Sequence, residues 1–273
     1  MRRRWRWLAG GLAVVVVVGA VAPFVYVHFI EGPPPAKLAL PTVTTTTRAQ
    51  GATATSTTAT SGVAGTYHVG TGSQAGYRVT EVLVGQHTTA VGRTKEIWGS
   101  VTVSGATVTA GTFTVEMASV KSDQSGRNAQ FDGRIMDVAR YPTATLTLTR
   151  PIALGSVPAV GARATYTATG NLDLHGVTRQ VTFTLSAERT AGGIYVLADV
   201  PVTFAEWDIT NPSVGGLVTT ASSGTLEVLV DLTKGQGNAA ASGSGSSVTP
   251  GGSPPTQVTV PSTTVPQLTI PTR

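Results

Sequence analysis

The feature that most constrains the fold of this chain is an alternation of apolar and polar residues between Gly65 and Lys234. The runs TFTVEMASV, TATLTLT, QVTFTLSAE and GTLEVLVDL each place an apolar residue at nearly every second position. A period of two is typical of strands that bury one face and expose the other. Turn signals such as His175-Gly176 separate the runs, and no convincing amphipathic helix lies among them. About eight strands of this kind predict an all-β fold, an antiparallel barrel or sandwich.

Four segments flank this domain. Residues 1–7 are basic. Residues 8–30 contain no charged side chain, and this stretch is long enough to cross a bilayer, which takes roughly 20 apolar residues. The positive-inside rule keeps the arginines cytoplasmic, so we expect a single-pass signal anchor in the cytoplasmic membrane with the barrel on the extracytoplasmic side. The Pro- and Thr-rich residues 31–64 predict a disordered stalk, and residues 235–273, rich in Gly, Ser, Pro and Thr, predict a disordered tail.

A cleavable signal peptide is the alternative to the anchor. Ala20-Val21-Ala22 has the small-residue form of a cleavage site. Pro23 follows it directly, however, and the apolar stretch is longer than the roughly 7–15 residues usual in signal peptides. We therefore favour the uncleaved anchor, and a mature N-terminus near Pro23 would contradict it.

Composition and motifs exclude several function classes. The formal charge of +5 comes from the N-terminus, since twelve Lys and Arg face thirteen Asp and Glu between Gly65 and Lys234. Such a domain lacks the basic face that binds nucleic acid. The chain has no cysteine, so neither disulfides nor cysteine metal sites can form. No G-x-S-x-G turn, paired carboxylates or clustered histidines are present, so we expect no enzyme, metal or cofactor.

One segment interrupts the alternation, SGRNAQFDGRIMDVARYPTATLTLTR from Ser125 to Arg150. We interpret its first half as a short helical or loop excursion that covers the mouth of a barrel. The alternative is a simple surface loop with a small apolar cluster of its own. In the first interpretation three apolar residues face the interior and three charged residues face water or a polar headgroup: Phe131, Ile135 and Met136, and Arg127, Arg134 and Asp137.

The same segment resembles the YceI-like family, the lipocalin-like polyisoprenoid-binding domains of bacterial cell envelopes. The resemblance rests on Ser125, Arg127-Asn128, Phe131, Asp137 and Tyr141-Pro142. Two further blocks are similar to the family in the correct order, GNLDLHGVTRQVTFTL from Gly170 and SQAGYRVTEVLVGQHTTAVGRTKEIWGSV from Ser73. Together the three blocks extend the resemblance over essentially all of residues 65–234.

The resemblance implies an extended eight-stranded antiparallel barrel whose lumen holds a long isoprenoid chain, such as a quinone or a polyprenyl lipid. Apolar residues at alternate positions are then expected to line the lumen. The same residues fit a packed core equally well, since a barrel of this size is either filled by side chains or holds one ligand. The expected lining residues are Tyr77, Val79, Trp98, Phe113, Val115, Met117, Leu146, Leu148, Phe183, Phe204 and Trp207.

Two functional hypotheses follow. The first is a membrane-anchored extracytoplasmic carrier for a polyisoprenoid, in which Arg127 and Arg134 orient the headgroup at the mouth. The second is a filled barrel displayed on a stalk as an interaction module of the cell envelope, with no lipid ligand. An enzyme acting on the bound lipid is a weaker third hypothesis, since no catalytic group can be named. The sequence leaves a homodimer open.

Overall fold

Twelve strands form a single antiparallel sheet in the part of the chain that the computed structural model describes, residues 33–41, 63–216 and 218–235. Their apolar and polar residues alternate as the sequence predicts, so the pleat sends successive side chains to opposite faces. In chain order the strands are β1 Gly65–Val69, β2 Gln74–Leu83, β3 Gln86–Thr94, β4 Ile97–Ser104, β5 Thr107–Glu116, β6 Thr143–Leu148, β7 Ile152–Ala153, β8 Arg163–Leu174, β9 Val177–Arg189, β10 Gly193–Thr203, β11 Val218–Thr220 and β12 Ser223–Lys234.

Hydrogen-bond pairing closes the sheet into a barrel. The pairs run from β1 through β4, β5, β6, β8, β9 and β10 to β12, and β12 pairs back onto β1. Strands β2 and β3 continue this wall, since β2 pairs with both β12 and β3. The predicted eight-stranded antiparallel barrel is confirmed. Closure removes the free edges within this ring of eight strands, whereas β3 pairs with a strand on one side only.

The interior of the barrel is apolar over most of its length. One cluster of buried side chains includes Phe131, Phe183 and Trp207, and a second cluster includes Val69 and Leu232. The first cluster lies at the end that carries the β8–β9 turn, and the second at the end where β1 begins. The lumen between them is therefore walled by hydrocarbon over most of its length.

The interruption predicted between the strands is a short helical excursion. It consists of a 3-10 turn at Met117–Ser119, a helix α1 at Ser125–Gln130 and a π-helical turn at Phe131–Ile135. Asp137 ends it in the left-handed region, with φ of 41°, and its carbonyl oxygen accepts hydrogen bonds from two later amides. Phe131 and Met136 are buried in the first cluster, so the excursion closes one end of the barrel with its apolar side.

A separate piece of chain, residues 33–41, lies on the outside of the barrel wall. Leu40 is buried there, Leu38 is half-buried, and the remaining residues are exposed. The segment falls within the predicted stalk. Val63 and Ala64, the last residues of the predicted stalk, are also described, and Val63 is buried in the second cluster. Residues 1–7 and 8–30, the remainder of the stalk and nearly all of the predicted tail lie outside the described residues. Among the residues described, no helix is both long and apolar enough to cross a bilayer.

Candidate functional site

The barrel encloses a cavity of about 580 Å³. Side chains that point inward from the strands line it, together with the apolar side of the excursion. The volume falls in the range of roughly 300–1,000 Å³ found for small-molecule sites. The barrel is thus hollow, which decides between the two interpretations left open by the alternation of the strands.

Fourteen of the sixteen residues predicted to contact a ligand line this cavity. They come from β2, β5, β6 and β9, from the excursion and from the turn after β10. Their convergence follows from the pleat, because residues two apart on one strand share a face. They are Tyr77, Val79, Phe113, Val115, Met117, Arg127, Phe131, Arg134, Ile135, Met136, Leu146, Leu148, Phe183 and Phe204.

Trp98 and Trp207 do not line the cavity, and their assignment to the lumen is corrected. Ile97 and Val101 of β4 do line it, so Trp98 lies out of phase with them, on the outer face. Trp207 lies in a 3-10 turn at Phe204–Trp207, only 1% exposed, and its indole N–H donates to the Leu172 carbonyl oxygen at 3.5 Å. It is a packed core residue at the end of the barrel.

Sequence reasoning missed all of the apolar lining supplied by β10 and β12. Every second residue of both strands is apolar, so the signal was present, although Leu197 and Leu229 add apolar residues between the lining positions. The missed apolar residues are Ile194, Val196, Ala198, Val200, Val202, Leu226, Val228, Val230 and Leu232.

Tyr77 is placed at the excursion end of the cavity by two neighbours. Its ring stacks on Phe131, with centroids 5.1 Å apart and planes 14° from parallel. On the other side it covers Gly92, where an added Cβ would lie 2.3 Å from a tyrosine ring carbon. Only glycine leaves room for the ring at this position. The phenol is therefore fixed where the apolar wall meets the mouth.

Burial raises the pKa of the Tyr77 phenol to about 12, although the nearby Arg127 partly offsets the effect. The phenol consequently remains protonated at physiological pH and keeps its O–H as a hydrogen-bond donor. No other hydroxyl among the lining residues predicted from the sequence has this position. A neutral donor at the end of an apolar cavity suits the oxygen of a lipid headgroup.

An alkaline titration tests this assignment. Following tyrosinate absorbance, we expect the Tyr77 phenol to ionise near pH 12, and Tyr77→Phe to remove that component. Since the phenol has its raised pKa only in the folded state, its contribution to stability is complete below pH 10 and is lost as the pH rises towards 12. A titration unchanged in Tyr77→Phe would contradict the burial of this phenol.

The mouth is polar and its main cation is paired. Arg127 contacts the carboxylate of Asp123 at 2.6 Å and that of Glu81 at 3.2 Å, and its side chain is only 17% exposed. Arg134 donates to the Gln130 side-chain oxygen at 2.9 Å and to the Pro212 carbonyl oxygen at 3.3 Å. The mouth therefore offers oriented polar groups with little uncompensated charge.

Arg189 marks the opposite end of the cavity. It is the last residue of β9, lines the cavity and donates to the Pro158 carbonyl oxygen at 3.3 Å. The polar lining is thus confined largely to the two ends, and the middle is hydrocarbon. Within residues 33–41, 63–216 and 218–235 no three His, Cys, Asp or Glu side chains are grouped to hold a metal ion. The geometry supports binding of an elongated apolar molecule with a polar end.

Solved structures similar to this chain were found. A solved polyisoprenoid-binding domain from Saccharophagus degradans, implicated in plant cell wall breakdown, matches at a TM-score of 0.52 and 18% identity, covering 63% of this chain and 99% of that chain. BcnA from Burkholderia cenocepacia matches at a TM-score of 0.47 and 19% identity, covering 60% of this chain and 98% of that chain. No curated protein matches the sequence.

At 18% identity, the likeness to the Saccharophagus degradans domain shows a shared fold alone. The family model of the YceI-like domain matches residues 67–232, which is more than half of the chain. Those residues include the complete strands from β2 to β11 together with the mouth excursion. This chain therefore belongs to the YceI-like family.

Proposed function

We propose that this protein is a membrane-anchored, extracytoplasmic carrier for a polyisoprenoid, a quinone or a polyprenyl lipid, held in the barrel lumen. The observation that supports the proposal most directly is the hollow apolar cavity with polar groups at its ends. The solved relative from Saccharophagus degradans is described as a polyisoprenoid-binding domain, which agrees with such a ligand.

Hydrophobic burial supplies the affinity. At about 25 cal/mol per Å² of apolar surface, each buried CH₂ group contributes about 0.8 kcal/mol. Association costs several kcal/mol of lost freedom, so a short apolar molecule binds weakly and a long chain binds well. The lumen therefore selects for length and apolarity more than for detailed shape.

The headgroup is oriented at the excursion end. The Tyr77 phenol donates a hydrogen bond there, and Arg127 and Arg134 supply guanidinium groups at the rim. Because Arg127 is already paired with two carboxylates, a neutral headgroup oxygen needs less rearrangement of this rim than a multiply charged one. The apolar tail then extends towards Arg189 at the far end.

Residues 8–30 form the proposed anchor. A single apolar stretch after a cluster of arginines directs the following chain out of the cytoplasm. An extracytoplasmic barrel tethered to this membrane stays next to the bilayer from which an isoprenoid is drawn.

Lipid extraction from the purified full-length protein tests the carrier function. We expect organic solvent to release an isoprenoid lipid that mass spectrometry detects in a nearly fixed ratio to protein. A single-pass membrane protein of unrelated fold, purified from the same cells in the same detergent, controls for lipid carried by the micelle. If no lipid is enriched over that control and added isoprenoids do not bind, the barrel is an interaction module instead.

A further inference from the structure

Residues 33–41, which we term the strap, are bound to the barrel wall through their main chain. Arg78 of β2 donates to the Pro35 carbonyl oxygen at 2.8 Å, and Arg93 of β3 donates to that of Ala36. At the other end Arg163 of β8 donates to the Pro41 carbonyl oxygen at 3.0 Å. In the sheet, β12, β10 and β9 lie between β2 and β8. The strap is therefore attached to two separated parts of the wall.

Two buried carboxylates hold these arginines in place. Glu227 of β12, 1% exposed, accepts from Arg78 at 2.6 Å and from Arg93 at 2.9 Å. Glu188 of β9 accepts from Arg163 at 2.6 Å. Both glutamates alternate with residues that line the cavity, so they face outward and have no part in the lumen. Burial of a carboxylate costs free energy unless the charge is paired, and these arginines supply the pairing.

The strap is also packed. Leu40 is only 9% exposed although it lies outside the barrel, and Leu38 is half-buried. A free stalk leaves its leucines in water, whereas this segment buries them. The strap thus belongs to the folded domain, although it precedes the residues that match the family.

The position of the strap in the chain limits the distance between barrel and membrane. Only two residues, Glu31 and Gly32, lie between Ile30, the last residue of the proposed anchor, and Pro33. The three Cα–Cα steps from Ile30 to Pro33 span at most about 11 Å. A fully free stalk of residues 31–64 could extend to roughly 120 Å.

We propose that the strap holds the barrel directly against the lipid bilayer, with the wall formed by β2 and β3 nearest to it. The partner of this surface is the bilayer that contains the anchor, so the inference rests on the proposed membrane anchoring. Residues 42–62 follow the strap in the chain, so in this arrangement they add nothing to the distance between the anchor and the barrel. Lipid exchange then takes place at the membrane surface, because the barrel does not move away from the bilayer.

Two insertions of equal length test the strap. Because the chain has no cysteine, Thr89→Cys on the outer face of β3 accepts a single fluorophore in the full-length protein, which is then reconstituted into vesicles containing a headgroup-nitroxide lipid. One variant carries a 20-residue Gly/Ser linker between Gly32 and Pro33. The matched variant carries the same linker between Gly51 and Ala52, behind the strap.

Such a linker spans about 25 Å on average, so we expect the insertion before Pro33 to lower nitroxide quenching at least about threefold. The insertion at Gly51 is expected to leave quenching unchanged. Leu40→Asp undocks the strap, and in that background the insertion at Gly51 is expected to lower quenching as well. Thermal unfolding and isoprenoid binding of both insertion variants confirm that the barrel is intact.

Equal loss of quenching from the two insertions in the otherwise unaltered protein would contradict the proposed role of the strap, since residues 31–64 would then act as one free stalk. Unchanged quenching in both would overturn it too, because the barrel would bind the membrane by itself. Failure of the parent protein to sediment with vesicles would instead refute the proposed anchor, and the strap proposal with it. That outcome differs from the other two, in which sedimentation is retained.

Discussion

Replacing Ala198 with tryptophan is expected to lower isoprenoid affinity about 200-fold while the barrel remains folded, because the indole displaces about four CH₂ groups of the ligand at about 0.8 kcal/mol each. Ala198 lies on β10, lines the cavity and is 8% exposed. The indole enters existing empty space, so the cost to folding stays within the roughly 1–3 kcal/mol of overpacked cores. Dissociation constants for a fluorescent isoprenoid, measured beside thermal unfolding, check both parts.

Thr184→Trp is the matched control for this substitution. Thr184 is exposed on the outer face of the neighbouring strand β9, so the same side chain there leaves affinity unchanged. Phe183→Asp gives a second test inside the lumen, since a carboxylate in the apolar wall removes binding by charge instead of by volume. A folded Ala198→Trp protein with the affinity of the parent would show that the ligand does not occupy this cavity.

Glu227→Gln is expected to lower the free energy of unfolding at pH 7 by about 3 kcal/mol, because it leaves two largely buried guanidinium groups without their counter-charge. The side chains of Arg78 and Arg93 are 15% and 23% exposed. Burial alone would raise the pKa of the Glu227 carboxyl, but the hydrogen bonds and charges of the two arginines outweigh it and hold this pKa below 4.5. Denaturant unfolding of residues 33–235 measures the loss.

The lowered pKa of Glu227 sets the pH dependence. A depressed carboxyl pKa stabilises the folded state above the unfolded value of about 4.5, and this contribution is lost as the pH falls through the folded value. The difference between the parent and Glu227→Gln should therefore shrink below pH 4.5. Glu188→Gln serves as the control with a smaller loss, since its partner Arg163 is 53% exposed and regains water. Equal losses of unfolding free energy in Glu227→Gln and Glu188→Gln would contradict the stronger dependence of Arg78 and Arg93 on their carboxylate.

Much of the site could be predicted because the pleat of a strand has a period of two. The alternation around Phe113, Leu146 and Phe183 indicates both the strand and the face that turns inward. Phe131 and Met136 could be predicted as well, because the apolar residues of a charged segment are expected to be buried against the interior. Trp98 shows that lining residues cannot be chosen by side-chain type alone, since its position in the alternation of β4 places it on the outer face of the barrel.

The sequence by itself determined the strands, the apolar face of each and the excursion between β5 and β6, since these depend on neighbours within a few residues. Only the tertiary structure decided that the barrel is hollow, that Trp207 is core, and that Glu227 joins two arginines. Arg78 and Glu227 are 149 residues apart, and no local pattern indicates that they meet. The docking of residues 33–41 also depends on residues far away in the chain. Their carbonyl groups accept hydrogen bonds from arginines of β2, β3 and β8, and the composition of the segment does not indicate these contacts.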